Sequence, residues 1–249
     1  MKYSANLGFL WTDLALPDAI RAAKRAGFDA VECHWPYEVP PADVAAALTE
    51  TGLEMLGLNT RRGQPGENGL TALPGREADA RAAIDEAIDY ARAIDCGAIH
   101  VMAGFSSGDA AHRTYCENLA YAAQAAPERT ILVEPLNRHD APGYFLSLTD
   151  QARKVIADVG APNLKLMFDC YHVGRMEGDL TTRFADLLPI VGHVQFAAVP
   201  DRGPPDHGEI DFGYVLPELV RIGWASPLGA EYKPGGDTDA TLGWLARWR

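Results

Sequence analysis

Residues 164–196 read LKLMFDCYHVGRMEGDLTTRFADLLPIVGHVQF. Two apolar runs short enough for strands, LKLMFD and GHVQF, carry an oxygen-bearing side chain at their ends, Asp169 and Gln195. Between them, DLTTRFADLLP has helical patterning. A strand, a helix and a strand in that order form a unit of parallel sheet. The pattern continues outward on both sides. ILVEP (131–135) brings Glu134 to the end of one run, and LGAEY (228–232) brings Glu231 to the end of another. In a parallel α/β barrel the carboxyl ends of all strands meet on one face, where the chemistry sits. Three carboxylates and one amide are therefore expected to converge. Such oxygens suit one divalent cation, Mg²⁺ or Mn²⁺.

The rest of the chain repeats the unit. KYSANLGF, FDAVECH, LEMLGLN, AIHVMAG and RTILVEP read as strands one to five, and LPDAIRAAKRAG, PPADVAAALTETG, READARAAIDEAIDYARAIDCG, HRTYCENLAYAAQAA and LTDQARKVIADVG as the helices after them. Thr149 or Asp150 is expected near the N-cap of the fifth helix. FGYVLPELVRIG follows the seventh strand and TDATLGWLARW closes the chain. Eight strand–helix units in 249 residues predict a single (β/α)₈ TIM barrel spanning 1–249 as one domain. The long Gly- and Pro-rich segment TRRGQPGENGLTALPG reads as a functional loop or lid.

Composition narrows the function classes. Apolar residues make up 47% and charged residues 22%, a globular balance. A formal charge of −12 disfavours nucleic-acid and anionic-membrane partners, although a local cluster of cations can still receive a small anion. No run reaches the ~18 apolar residues of a membrane helix. The four cysteines form no CxxC pair and read as buried free thiols in a reducing cytoplasm. The chain lacks GxGxxG and GxxxxGK[ST]. Trp224 and Trp248 read as exposed aromatics that permit a homo-oligomer.

Each candidate ligand has a plainer reading. Glu134 is a solvated loop residue, Asp169 an N-cap, Gln195 a core amide, and Glu231 a partner of Lys233. What favours the metal is the joint pattern, because clustered carboxylates repel strongly without a cation. His172, three residues after Asp169, can lean over the site and bind a substrate oxygen. His193 and His100 read as satisfied interior histidines. Arg202 and Lys233 supply positive charge for a substrate carboxylate or hydroxyls. A metal between two separated carboxylates suits proton transfer beside a carbonyl, the chemistry of aldose–ketose isomerisation or epimerisation.

The stretches EPLNRHDAPGYFL, FDCYHVGRMEGDL, VGHVQFAAVPDR, HGEIDF and AEYKP, with YSANLGFLW, GFDAVE and ALPGRE nearer the start, resemble the hydroxypyruvate isomerase family. That family belongs to the sugar-phosphate isomerase/endonuclease IV-like TIM barrels and includes 2-oxo-tetronate isomerases. The resemblance implies a metal on Glu134, Asp169, Gln195 and Glu231, with Glu134 and Glu231 as the proton-transfer pair. It implies His172, Arg202, Lys233 and Asn6 as substrate contacts, and interconversion of hydroxypyruvate with 2-hydroxy-3-oxopropanoate through an enediolate. Related ketose 3-epimerases usually have His where Gln195 stands. The chain departs from the family at Asp206–His207, Cys33–His34–Trp35 and Arg61–Arg62, all expected at the pocket mouth, where they bear on substrate choice. The competing classes are an epimerase or isomerase of a longer sugar acid, a DNA-directed hydrolase, and a binding barrel without catalysis.

Overall fold

The computed structural model describes residues 1–248. Its strands are β1 (Tyr3–Asn6), β2 (Ala30–Glu32), β3 (Glu54–Met55), β4 (Gly57–Asn59), β5 (Ala98–His100), β6 (Thr130–Val133), β7 (Leu164–Asp169), β8 (Val191–Phe196) and β9 (Leu228–Ala230). All neighbouring pairs run parallel, and β9 returns to pair with β1. The third strand expected from LEMLGLN is two short pieces flanking Leu56. β3 pairs with β2 and β4 with β5. Backbone bonds from Leu56 to Val31, from Cys33 to Gly57 and from Gly97 to Met55 carry the ladder through the break. The cylinder closes as a (β/α)₈ TIM barrel.

The major helices are α1 (Leu16–Ala26), α2 (Pro41–Thr51), α3 (Glu77–Ala93), α4 (Gly108–Ala125), α5 (Thr149–Val159), α6 (Cys170–Met176), α7 (Leu180–Leu187), α8 (Phe212–Ile222) and α9 (Gly243–Arg247). They shield the outer faces of the strands and form the main apolar core with them. The sequence reading missed α6. Its N-cap is Asp169, whose carboxylate accepts the Tyr171 N–H at 2.8 Å. The helix α5 begins at Thr149, directly after its N-cap Leu148, as expected, and the Thr149 hydroxyl donates to Glu177 at 2.9 Å. The closing helix is shorter than expected, a 3₁₀ turn followed by α9.

The loop of residues 60–76 is pinned against the end of β5. Gly69 pairs with Ala103, and a Cβ on Gly69 would lie 2.4 Å from the Met102 carbonyl oxygen. Its φ of +113° is one that side-chain-bearing residues rarely adopt. The Thr71 hydroxyl donates to the same Met102 carbonyl at 2.7 Å.

Trp224 and Trp248 do not present the exposed faces expected of them. Trp224 is buried with its ring against Phe184, and Trp248 packs on Trp244. Cys33, Cys96 and Cys170 are buried free thiols and Cys116 is half-buried. Among the described residues no helix is long and apolar enough to cross a membrane.

Candidate active site

The strand register sets the site. Asp169 on β7 stands beside Gln195 on β8, and Glu134 and Glu231 directly follow β6 and β9. All four are buried, between 1 and 6% exposed, in a fold where carboxylates are normally solvated. Glu134 and Glu231 line a cavity of about 340 Å³ whose walls include His34, Trp35, Arg62, His100, His172 and Arg202, while Asp169 and Gln195 stand outside its lining.

Three of the four present an oxygen that no protein group satisfies: Glu134 Oε1, Asp169 Oδ2 and Gln195 Oε1. Buried oxygens left unpaired are costly, and a hard cation is the partner that suits three of them together. Ligand atoms of Glu134, Asp169 and His172 lie within 4.8 Å of one another. His172 is better suited to another role. Its Nδ1 accepts the Asn137 N–H at 3.0 Å and lies 2.7 Å from Asn137 Nδ2. A neutral imidazole that accepts at Nδ1 carries its proton on Nε2. That N–H faces Asp169 at 3.5 Å and Glu134 at 3.7 Å, so it offers a hydrogen bond rather than a lone pair. Burial, then the Arg202 charge, holds His172 neutral with a pKa lowered to about 3.

Glu231 differs from the other three. Its Oε1 takes Asn6 Nδ2 at 2.9 Å and faces His34 Nε2 at 3.0 Å, while Oε2 takes the Arg202 guanidinium. Burial alone would raise its pKa, but the charge of Arg202 and the contact with His34 hold it below the usual carboxylate range. Glu134 goes the other way. Burial, then the Glu231 and Asp169 charges, push it well above that range. Asp169 is pushed up to about 7 by burial and Glu231. Two carboxylates whose surroundings drive their proton affinities apart are the usual mark of an acid–base pair.

Arg202 is fixed on every side. Its backbone adopts φ +58°, the left-handed region, held by bonds from its N–H to Ala198 and from the Lys233 N–H to its carbonyl. The guanidinium sits 4.7 Å from the Phe9 ring and 5.0 Å from Tyr171, and also reaches Asp169 at 3.8 Å. Burial opposes its charge, but the three neighbouring carboxylates outweigh that and keep it cationic.

The other candidates divide. Asn6 holds Glu231 and does not line the cavity. The Lys233 side chain is exposed and stands off the cavity wall; Glu231 pairs with Arg202 in its place. His193 is the satisfied interior residue expected, 2.8 Å from Glu32. His100 departs from that reading: it lines the cavity with Nδ1 3.6 Å from Glu134 and Nε2 unpaired. Burial lowers its pKa to about 4. Of the three unusual segments, His34, Trp35 and Arg62 reach the cavity wall. Arg61 turns away to Glu86 and Glu38, and His207 pairs with Asp201 on an exposed loop. The sequence reading also missed Glu32, the buried partner of Gln195, because nothing local marks a glutamate at the end of β2 as an interior group.

The chain belongs to the xylose isomerase-like TIM barrel family, which matches residues 20–248. Within it, the chain is 42% identical over 252 residues to the 2-oxo-tetronate isomerase of Cupriavidus necator, covering 98% of this chain and 97% of that one. It is 38% identical over 258 residues to the hydroxypyruvate isomerase of Escherichia coli, covering both chains fully. A Brucella melitensis structure described as AP endonuclease, family 2 superposes with a TM-score of 0.95 at 36% identity, covering 100% of this chain and 99% of that one. This company makes the protein an isomerase of the hydroxypyruvate isomerase family.

Proposed function

We propose that the protein is a metal-dependent aldose–ketose isomerase of a small hydroxy-oxo acid, interconverting hydroxypyruvate and 2-hydroxy-3-oxopropanoate through an enediolate. The observation that carries this reading is the pair of buried glutamates, Glu134 and Glu231, that line one small cavity, with buried oxygens of Glu134, Asp169 and Gln195 left without a protein partner. Glu134, Asp169 and Gln195 would hold Mg²⁺ or Mn²⁺, and Glu231 would complete the set. The ion would act as a Lewis acid that makes the substrate C–H more acidic.

The chain's own groups supply the rest. One glutamate lifts a proton from the hydroxymethyl carbon, the hydroxyl proton passes to the former carbonyl oxygen, and the other glutamate hands a proton back to the former carbonyl carbon. His172 Nε2–H and the Arg202 guanidinium donate to substrate oxygens. Arg62 stacks on Trp35 at 4.9 Å, with no carboxylate in ion-pairing reach among the described residues. It is the cation we assign to the substrate carboxylate.

Glu134→Gln and Glu231→Gln each test the reading. Each variant should keep the fold but stop deuterium exchange from solvent into hydroxypyruvate. EDTA should silence the wild type, with Mg²⁺ or Mn²⁺ restoring it. Normal turnover in either variant would overturn the proton-transfer assignment. A second reading, a 2-oxo-tetronate isomerase, draws support from the Cupriavidus necator relative. Comparing kcat/KM for hydroxypyruvate, 2-oxo-tetronates and free ketoses separates it from the first and from a ketose epimerase. A DNA-directed role is disfavoured by the −12 charge, since phosphate backbones require cationic surfaces.

A further inference from the structure

Behind Gln195 lies a buried polar layer whose other members the reaction outlined above does not use. Glu32 is 3% exposed and takes three partners: Ser4 Oγ on Oε1 at 3.1 Å, and His193 Nε2 and Gln195 Nε2 on Oε2, each at 2.8 Å. These residues come from β1, β2 and β8, and between β1 and β8 runs β9, where Gly229 stands in register with both Ser4 and Gln195. A Cβ on Gly229 would lie 2.3 Å from Glu32 Oε1, 3.0 Å from Gln195 Cγ and 3.1 Å from His193 Nε2. The glycine leaves the space through which Glu32 reaches the far strand.

The chemistry of that contact is one-sided. A primary amide has a donor end and an acceptor end of nearly equal size, and only its partners decide which way it faces. A carboxylate accepts and cannot donate. Glu32 therefore captures the Gln195 NH₂ and leaves Oε1 as the free end, which is the buried oxygen without a protein partner. Turned the other way, Gln195 would set oxygen against oxygen at Glu32 and offer the cation two N–H groups.

We propose that Glu32 is a positioning residue that locks the Gln195 amide with its oxygen available to the divalent cation, so that the Glu32–Gln195 bond sets metal affinity. This rests on the metal reading given above. Gly229 is the permissive partner of the arrangement.

The test is a titration of Mn²⁺ into metal-free protein, followed by calorimetry. Glu32→Gln keeps the size of the side chain but can donate as well as accept, so the lock is lost. Its Mn²⁺ affinity should fall about tenfold or more, the scale on which groups behind metal ligands act. In a Gln195→Ala background the same change should cost less than threefold, because there is no amide left to orient. Two results would overturn the proposal. One is wild-type affinity in Glu32→Gln. The other is an equal loss in both backgrounds, which would assign Glu32 a purely electrostatic role. If Glu32→Gln does not fold, the wild type carries the test: the side-chain carbonyl ¹³C resonance of Gln195 should shift on adding Mg²⁺, and an unmoved resonance overturns the proposal. A wild type that takes up no Mn²⁺ would overturn both the metal reading and this one; uptake with unchanged Glu32→Gln overturns only this one.

Discussion

The two halves of the barrel interior are filled by different physics. On the side of β5, β6 and β7, Ala98, Leu132 and Met167 form a small apolar cluster separate from the main core. On the side of β8, β9, β1 and β2, the interior holds Ser4, Glu32, His193 and Gln195 around the space left by Gly229. Barrel interiors are usually packed with branched aliphatic residues throughout. The apolar half is held by burial and dispersion, which tolerate small adjustments. The polar half works only when each donor meets its acceptor, and a half-satisfied network is worse than none. One half is suited to stability, the other to fixing the direction of a few atoms.

The strongest way to break this contrast is Gly229→Ala. The added carbon meets Glu32 Oε1 at 2.3 Å, so the polar layer cannot form as it stands. The variant should lose more than about 10 °C in thermal midpoint by circular dichroism, on the usual scale of a few kcal/mol for severe core disruption. A midpoint near wild type would show that the apolar half holds the barrel by itself.

Leu132→Ala probes the other half. It should destabilise by about 2–5 kcal/mol in urea unfolding. Its Mn²⁺ affinity should match wild type. If affinity falls together with stability, the halves are not separable.

A pH series sharpens the electrostatic side. Asp169, with a pKa raised to about 7, holds a proton near neutrality that a cation must displace, and burial and the Glu231 charge push Glu134 in the same direction. Metal binding should therefore tighten from pH 6 to pH 8, about tenfold per unit for one displaced proton, and release protons into weak buffer. Affinity that rises on acidification would contradict the burial of these groups.

The smallest effect is expected at the mouth above both halves. Arg62→Gln should raise KM for hydroxypyruvate about tenfold with kcat nearly unchanged, the signature of lost ground-state binding. Exchange into an uncharged ketose should be unaffected. An equal loss on both substrates would place Arg62 outside carboxylate recognition.

Much of this was legible before any coordinates. Short apolar runs ending on Glu134, Asp169, Gln195 and Glu231 were enough to place those residues at one end of a parallel barrel. What stayed hidden are pairings across the cylinder. The Glu32–Gln195 contact joins positions 163 residues apart, and His34–Glu231 joins positions 197 apart. The period of a strand says which way a side chain points and not how far it reaches. Lys233 shows the opposite error. Two residues from Glu231, it looked like a natural partner, but Arg202 had the packing between two aromatic rings and the left-handed backbone to take that place. Leu56 shows a third limit, because an even apolar run does not reveal where a strand breaks.

The loop that carries Arg62 is anchored behind its tip. The Gly69 N–H bonds the Arg62 carbonyl at 2.8 Å, and Ala72 bonds Ala103 at 2.8 Å. The tip between those anchors, residues 63–68, can change in sequence without disturbing Glu134, Asp169, Gln195 or Glu231. New substrate ranges on this scaffold can therefore evolve by rewriting one short hoop of chain, with the proton chemistry inherited intact.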